Sequence, residues 1–203
     1  MRIGFLASHN GGSMRAIVRA MREGALAAEP AIVISNNADA PALAWARGEG
    51  IPAANISRKA LGPDADIDAA IAEALGRAGV ELVVLSGWMR KLGPATLRRY
   101  HERILNIHPG PLPKYGGEGM YGRRVHEAVI AGGEPASAIT IHLVDDEYDR
   151  GAVLARRAVP VEPGDTAETL ERRVQAAEPA FYVETLRRLL AGELRLPRAG
   201  EPG

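Results

Sequence analysis

Glu81-Leu82-Val83-Val84-Leu85-Ser86 decides the fold. It is a nearly continuous apolar run with none of the polar alternation of a half-exposed strand. Such a run reads as the central strand of a parallel sheet, covered on both faces. Just before it, Asp64–Ala78 carries Ile67, Ile71 and Leu75 at i, i+4 and i+8, one stripe of a helix. Just after it, Pro94–Tyr100 reads as a helix opened by its proline, and Ile104–Ile107 as the next strand.

The alternation extends back to the N-terminus. Arg2–Ala7 is a buried-strand pattern, Ser8–Ser13 a glycine turn, and Met14–Glu23 a helix with Met14, Ile17, Val18 and Met21 on one stripe. Ala31–Ser35 reads as a strand, Pro41–Arg47 as a short helix and Pro52–Ile56 as a weaker strand. Strands alternating with helices imply βαβ units, so the fold class is α/β: a doubly wound, mainly parallel, Rossmann-like sheet.

The second half has a different grammar. Pro109–Gly122 is rich in Gly and Pro without periodicity, a loop long enough to suggest function. After a helix at Arg123–Ala131, Ala138–Val144 and Ala152–Val159 read as two strands around the acidic turn Asp145–Gly151, an antiparallel addition. Asp165 with Glu168 has the spacing of a capping box opening a long C-terminal helix, which Pro179 is expected to kink or divide. The expected organisation is one domain over residues 1–196, with a phosphate-binding half at 1–107 and the catalytic loop, second strand pair and long helix at 108–196. Residues 197–203 read as a tail.

Bulk properties exclude several functions. Among 203 residues, Lys+Arg and Asp+Glu both number 25, so no general basic surface exists for nucleic acid or acidic membranes. There is no cysteine, hence no disulfide, thiolate nucleophile or Cys-ligated zinc. No apolar run approaches the ~20 residues of a membrane span, and Met1–Ala7 is too short for a signal peptide. These features predict a soluble, cytoplasmic protein.

Chemistry concentrates in two short stretches, Asn106-Ile107-His108-Pro109 and Asp149-Arg150-Gly151. They supply an amide, an imidazole and a carboxylate: groups that hold an oxyanion, move a proton and orient the ring. Asn106 and His108 are two apart on a strand and leave the same face. A carboxylate directed at His108 would raise its pKa, and the sequence leaves open which of Asp145, Asp146, Glu147 and Asp149 does so. The cluster lacks calcium-loop spacing, and neither His126-Glu127 nor His101-Glu102 continues into a metal motif. Ser8-His9-Asn10-Gly11-Gly12-Ser13 ends a strand and opens a helix, a place where backbone N–H groups and the helix dipole bind an anion. It is neither a P-loop nor Gly-x-Gly-x-x-Gly, so a phosphomonoester fits better than a dinucleotide.

Together these segments resemble the glycinamide ribonucleotide (phosphoribosylglycinamide) formyltransferase family, the folate-dependent enzymes of purine synthesis. The likeness runs through Ser8–Ile17, Ile34–Ala38, Val84–Leu92, Leu105–Tyr115 and Thr140–Gly151. It implies Asn106, His108 and Asp149 as the catalytic set. It implies Gly11, Gly12 and Ser13 as the cradle for a 5′-phosphate, and Glu178 as the acid that meets the ribose. It implies Met89, Arg90, Lys91, Leu92, Asn106, Val144 and Asp145 as the wall of a folate pocket. The implied co-substrate is 10-formyltetrahydrofolate, with no metal, small molecules as the partners, and a monomer or homodimer. Departures from the family pattern are Gly11-Gly12-Ser13 in place of Gly-Ser-Asn, Gly110-Pro111 in place of Ser-Leu, and the variant loop Gly116–Gly122; Arg58 and Lys59 stand near the place for a folate glutamate tail.

Alternative readings are formyltetrahydrofolate deformylase, a formyltransferase with another amine acceptor, and a non-catalytic flavodoxin-like nucleotide-binding domain. The deformylase would carry an N-terminal regulatory domain, which has no room before Arg2, and would have no use for the glycine turn. The related tRNA formyltransferase would extend into a basic C-terminal domain, which is not expected here.

Overall fold

The computed structural model describes residues 1–196; the expected tail at 197–203 lies outside the described residues. The element order is β1 (Arg2–Leu6), α1 (Gly12–Arg22), β2 (Glu29–Ser35), α2 (Pro41–Gly48), β3 (Ala53–Asn55), α3 (Arg58–Leu61), α4 (Ile67–Arg77) and β4 (Leu82–Leu85). It continues with α5 (Pro94–Arg99), β5 (Ile104–His108), α6 (Arg123–Ala131), β6 (Ala136–Leu143), β7 (Val153–Pro160) and α7 (Ala167–Leu190). The strands form one seven-stranded sheet, ordered β3-β2-β1-β4-β5-β6-β7. β1 to β5 pair in parallel, and β6 and β7 join antiparallel.

Strand pleat divides the apolar residues between two cores. Ile3, Phe5, Val33, Leu82, Val84 and Leu105 face the helices α1, α2 and α7 on one side. Leu6, Ile32, Ile34, Val83, Leu85 and Ile104 face α4 and α5 on the other, against Ile71, Leu75 and Tyr100. Each fully buried aliphatic side chain contributes roughly 1.5–3 kcal/mol, so two continuous cores explain why β4 tolerates no polar residue.

Strand order reverses between β1 and β4, and open α/β sheets bind ligands outside the carboxyl ends of the strands at such a point. Two serines stitch this edge. The Ser8 hydroxyl donates to Asn36 Oδ1 (2.6 Å) and accepts from the N–H of Met89 (2.9 Å). Ser86 Oγ accepts from the N–H of Met14 (3.0 Å), tying the first turn of α1 to the end of β4.

Two expectations about the ends of helices need correcting. The capping box of α7 is Thr166 with Thr169, not Asp165 with Glu168. Asp165 instead accepts from Arg173 Nη2 (2.9 Å) and from the N–H of Glu162 (2.8 Å), which takes it out of the cap. Pro179 does not divide α7, which runs unbroken. Leu170, Val174, Phe181, Tyr182 and Leu186 are buried along it, and the Tyr182 hydroxyl donates to the carbonyl of Leu105 (3.0 Å). That packing outweighs the one helical hydrogen bond a proline removes. The short helix α3, capped by Ser57 Oγ on the N–H of Ala60 (3.2 Å), is too brief to leave a periodic signal.

α5 begins at Gly93-Pro94 and has no cap of its own. Asp68 of α4 supplies one from across the sheet face, accepting from the N–H groups of Gly93 (3.1 Å), Ala95 (2.6 Å) and Thr96 (3.2 Å). A Cβ on Gly93 would lie 2.6 Å from that carboxyl, so the glycine is what lets the two helices meet. Asp68→Ala is expected to lower stability by about 1–2 kcal/mol, the usual worth of an N-cap. Urea titration should show a lower midpoint at an unchanged slope.

Candidate active site

β5 and β6 pair with Asn106 opposite His142 and His108 opposite Thr140. Antiparallel pairing therefore puts an amide and an imidazole from β5 beside a second imidazole from β6. His142 Nδ1 lies 2.8 Å from the carbonyl of Leu143. A carbonyl only accepts, so Nδ1 carries a proton; in the neutral ring Nε2 then presents its lone pair, and in the charged ring it donates toward Asp149. That lone pair takes an N–H from Asn106 Nδ2 at 3.1 Å, fixing which way the carboxamide points. The sequence reading missed His142; its position two strand residues before the Val144–Asp149 segment was the available signal.

His108 is buried at 3% exposure. Its Nε2–H donates to the carbonyl of Tyr115 at 2.7 Å. Its Nδ1 faces Asp149 Oδ2 at 3.5 Å, while Asp149 Oδ1 faces His142 Nε2, also at 3.5 Å. The N–H of Gly117 donates to Asp149 Oδ2 at 3.1 Å. Of the four clustered acids, Asp149 is the one turned onto His108. It does so from a left-handed backbone conformation (φ 57°), which aspartate adopts more readily than most residues.

Three glycines make this approach possible. A Cβ at Gly151 would stand 2.0 Å from the carbonyl oxygen of Leu143, so the residue two after Asp149 can carry no side chain. A Cβ at Gly116 would lie 2.9 Å from that of Asp149, and one at Gly110 would lie 2.5 Å from Val125 and 3.3 Å from His108 Nε2. The variant loop and the Gly110-Pro111 departure are thus close-packing solutions around the imidazole.

As expected, Asp149 pushes the pKa of His108 up, but it is not the largest influence on the ring. Burial is the largest influence on the ring and lowers its pKa; Asp149 and the Tyr115 carbonyl raise it by less, and His142 adds a small lowering. Burial also pushes Asp149 up, but His142, His108 and the N–H of Gly117 together outweigh it and hold the carboxyl below its ordinary range. Burial thus works against a charge on His108 while Asp149 works for it, and the two rings and the Gly117 N–H favour the ionised form of Asp149.

A cavity of about 80 Å³ opens beside this group. Its wall contains Asn106, His142 and Asp149, with Arg90, Lys91, Leu92, Val144 and Asp145 of the expected folate segment. Met89 is not part of it: its side chain is 47% exposed and only its N–H is engaged, by Ser8. His108 stands behind the wall, reached through Asp149. The Lys91 ammonium sits 5.4 Å over the ring of Tyr148, and both residues line the cavity. Small-molecule pockets usually span ~300–1,000 Å³, so this cavity is small beside them. A second cleft of about 370 Å³ lies behind the same turn, between it and Leu97, Arg98 and His101.

The glycine turn has the form of an anion site. Gly11 caps α1 with φ 65°, a conformation suited to glycine, and no side chain caps the helix. The N–H of Met14 is taken by Ser86, leaving those of Gly12 and Ser13 with no acceptor inside the helix. A Cβ at Gly12 would meet nothing within 4 Å, so the space in front of the turn is open. Glu178 lies on α7, the helix packed against α1, and burial pushes its carboxyl up to about 7. Arg58 and Lys59 are exposed on α3. Among the described residues, no cluster of His, Asp and Glu could hold a metal ion, and no helix is long and apolar enough to cross a membrane.

The chain belongs to the formyl transferase family, whose profile matches residues 1–186. It is 36% identical over 195 residues to the phosphoribosylglycinamide formyltransferase of Haemophilus influenzae, covering 96% of this chain and 90% of that one. A chloroplastic phosphoribosylglycinamide formyltransferase from Vigna unguiculata is 35% identical over 83% of this chain, which spans about half (54%) of that protein's length. The crystal structure of glycinamide ribonucleotide transformylase 1 from Symbiobacterium toebii superposes with a TM-score of 0.86 at 36% identity, covering 98% of this chain and 94% of that one.

The resting electrostatics make a direct prediction. Followed by NMR without ligands, His108 should titrate below the ordinary 6.5. It should titrate lower still in Asp149→Asn, because the neighbouring negative charge is gone. A value at or above 6.5 in the wild type would contradict the balance described here.

Proposed function

We propose that the protein transfers the formyl group of 10-formyltetrahydrofolate to the amine of glycinamide ribonucleotide, as a cytoplasmic enzyme of purine synthesis whose catalytic domain is residues 1–196. The observation that carries the reading is Asn106, His142 and Asp149 converging on the cavity bounded by Arg90–Leu92 and Val144–Asp145. Family membership and relatives bearing that name at about 35% identity support it.

In this reading, the N–H groups of Gly12 and Ser13 hold the acceptor's phosphate and Glu178 meets its ribose. The folate donor supplies an electrophilic formyl carbon. Asn106, its amide held by His142, donates a hydrogen bond to the oxygen that gains charge as the amine attacks. The Asp149–His108 pair takes the proton that the attacking amine loses, with Nδ1 of His108 as its resting place, and returns it to the departing folate nitrogen. Apolar side chains of Leu85, Trp88, Leu92 and Val144 keep water from the donor's ring system. Deformylation would use the same trio, but it would leave the anion site at Gly11–Ser13 without a task.

With 10-formyl-5,8-dideazafolate as donor, turnover should require glycinamide ribonucleotide. Asn106→Ala should lose about 10²–10³ in kcat, the worth of one oxyanion donor. Turnover without the acceptor would identify a hydrolase instead.

Glu178 adds a pH signature. A carboxyl raised to about 7 by burial is largely protonated at pH 6 and ionised at about pH 8. The ionised form accepts from ribose hydroxyls more strongly than the protonated one, so the acceptor's KM should fall as pH rises through about 7, and Glu178→Gln should remove that dependence. The sign for stability is opposite. Between the unfolded carboxyl value and about 7 the folded state binds more protons, so burial of Glu178 increasingly opposes folding as pH rises. The Gln variant should therefore gain thermal stability over the wild type at about pH 8 and not at about pH 5.

A further inference from the structure

The loop that follows His108 is pinned at three places. Thr140 Oγ1 donates to the carbonyl of Gly110 (2.7 Å), and Arg156 Nη2 donates to that of Leu112. The third pin is a side chain. Tyr115 is buried at 7% exposure and its hydroxyl donates to Glu134 Oε1 at 2.7 Å. Lys114 also donates to that oxygen, and its ammonium lies 5.2 Å over the tyrosine ring. Gly132 makes room for the phenol: a Cβ there would stand 2.4 Å from the Tyr115 hydroxyl. The seat is thus shaped for a tyrosine oxygen in one position. The carbonyl of the same residue is the strongest hydrogen-bond partner of His108, at 2.7 Å against 3.5 Å for Asp149.

We infer that Tyr115, seated on Glu134, is a positioning residue: it holds its own carbonyl against Nε2 of His108 and so turns Nδ1 of that ring toward Asp149. The chain of contacts is Glu134 to the Tyr115 hydroxyl, through the rigid aromatic side chain to its backbone, and on to the imidazole. Without the seat, the carbonyl is left to the backbone contacts of its loop, among them the Tyr115 N–H on the carbonyl of Pro111 (3.1 Å), and its hold on Nε2 loosens. The inference rests on the proposed catalytic role of His108, yet it also has a readout that needs no reaction.

The groups facing His108 are Asp149 from the turn after β6, His142 from β6 and His126 from α6. Glu134 and Lys114 face only the phenol, so changing them acts on the ring through Tyr115. In the ligand-free protein, Tyr115→Phe and Glu134→Ala should each lower the NMR titration midpoint of His108 and broaden its ring signals. Glu134→Gln keeps an oxygen acceptor for the hydroxyl and should behave as the wild type. In the formyl-transfer assay the first two variants should lose about tenfold in kcat. The KM of either substrate should stay within about twofold, and the acidic limb of the kcat profile should move to lower pH with the NMR midpoint. Combining the two variants should do no more than either alone, as expected for one shared contact. The inference is overturned if His108 titrates as in the wild type in both variants, or if Glu134→Gln matches Glu134→Ala. It is also overturned if the kcat loss comes without movement of the pH limb, which is how a general loss of stability would read. Failure of wild-type formyl transfer would sink the proposed reaction and leave the NMR comparison standing.

Discussion

A carboxylate nearly removed from water must be compensated, and Asp149 is the group around which this protein arranges that compensation. Its side chain is 12% exposed. An ion so placed costs several kcal/mol unless donors and opposite partial charges surround it. The N–H of Gly117 donates to it here, and two imidazole rings that can take up positive charge face its oxygens, from β5 and from β6. The same carboxylate that unites these segments lines the cavity and faces His108. Structural need and chemical opportunity coincide in it.

The sheet supplies the rest of the site without special devices. Winding in two directions from β1 and β4 leaves a notch at their carboxyl ends, where the serines at 8 and 86 draw the glycine turn and the Gly87–Met89 segment together. Adding β6 antiparallel to β5, instead of by another crossover, sets side chains of the two strands directly opposite each other. A parallel neighbour would have offset that pairing, and the carboxamide at 106 would lack the imidazole that orients it.

The sequence carried the parallel half of the fold because each buried strand and amphipathic helix declared its own period. Ile67, Ile71 and Leu75 do lie on one face of α4, and the apolar run at 82–85 is the central strand. It also placed Asn106 and His108 on one strand face, while the acid among 145–149 that meets His108 was singled out only by the family resemblance. What it hid was relational. Nothing local marks His142 as the partner of Asn106, since they are 36 residues apart and meet only through strand register. Nor does composition report the sign of the His108 shift, which depends on how much water the folded loop excludes. The cap of α7 was misplaced by one residue for a similar reason: Asp165 was drawn off by Arg173, eight residues away and on the next turns of the helix.

The glycine at 151 separates two kinds of persistence. In the proposed reaction Asp149 helps to move a proton, whereas Gly151 answers to the carbonyl of Leu143 lying where its β-carbon would be. A descendant of this chain that abandoned catalysis could exchange the acid for asparagine, which keeps an acceptor for the N–H of Gly117. It could not let the glycine drift without prying β7 from β6. In a lineage of silent copies the two positions would decay at different rates, and that difference would date the loss of chemistry separately from the loss of the fold.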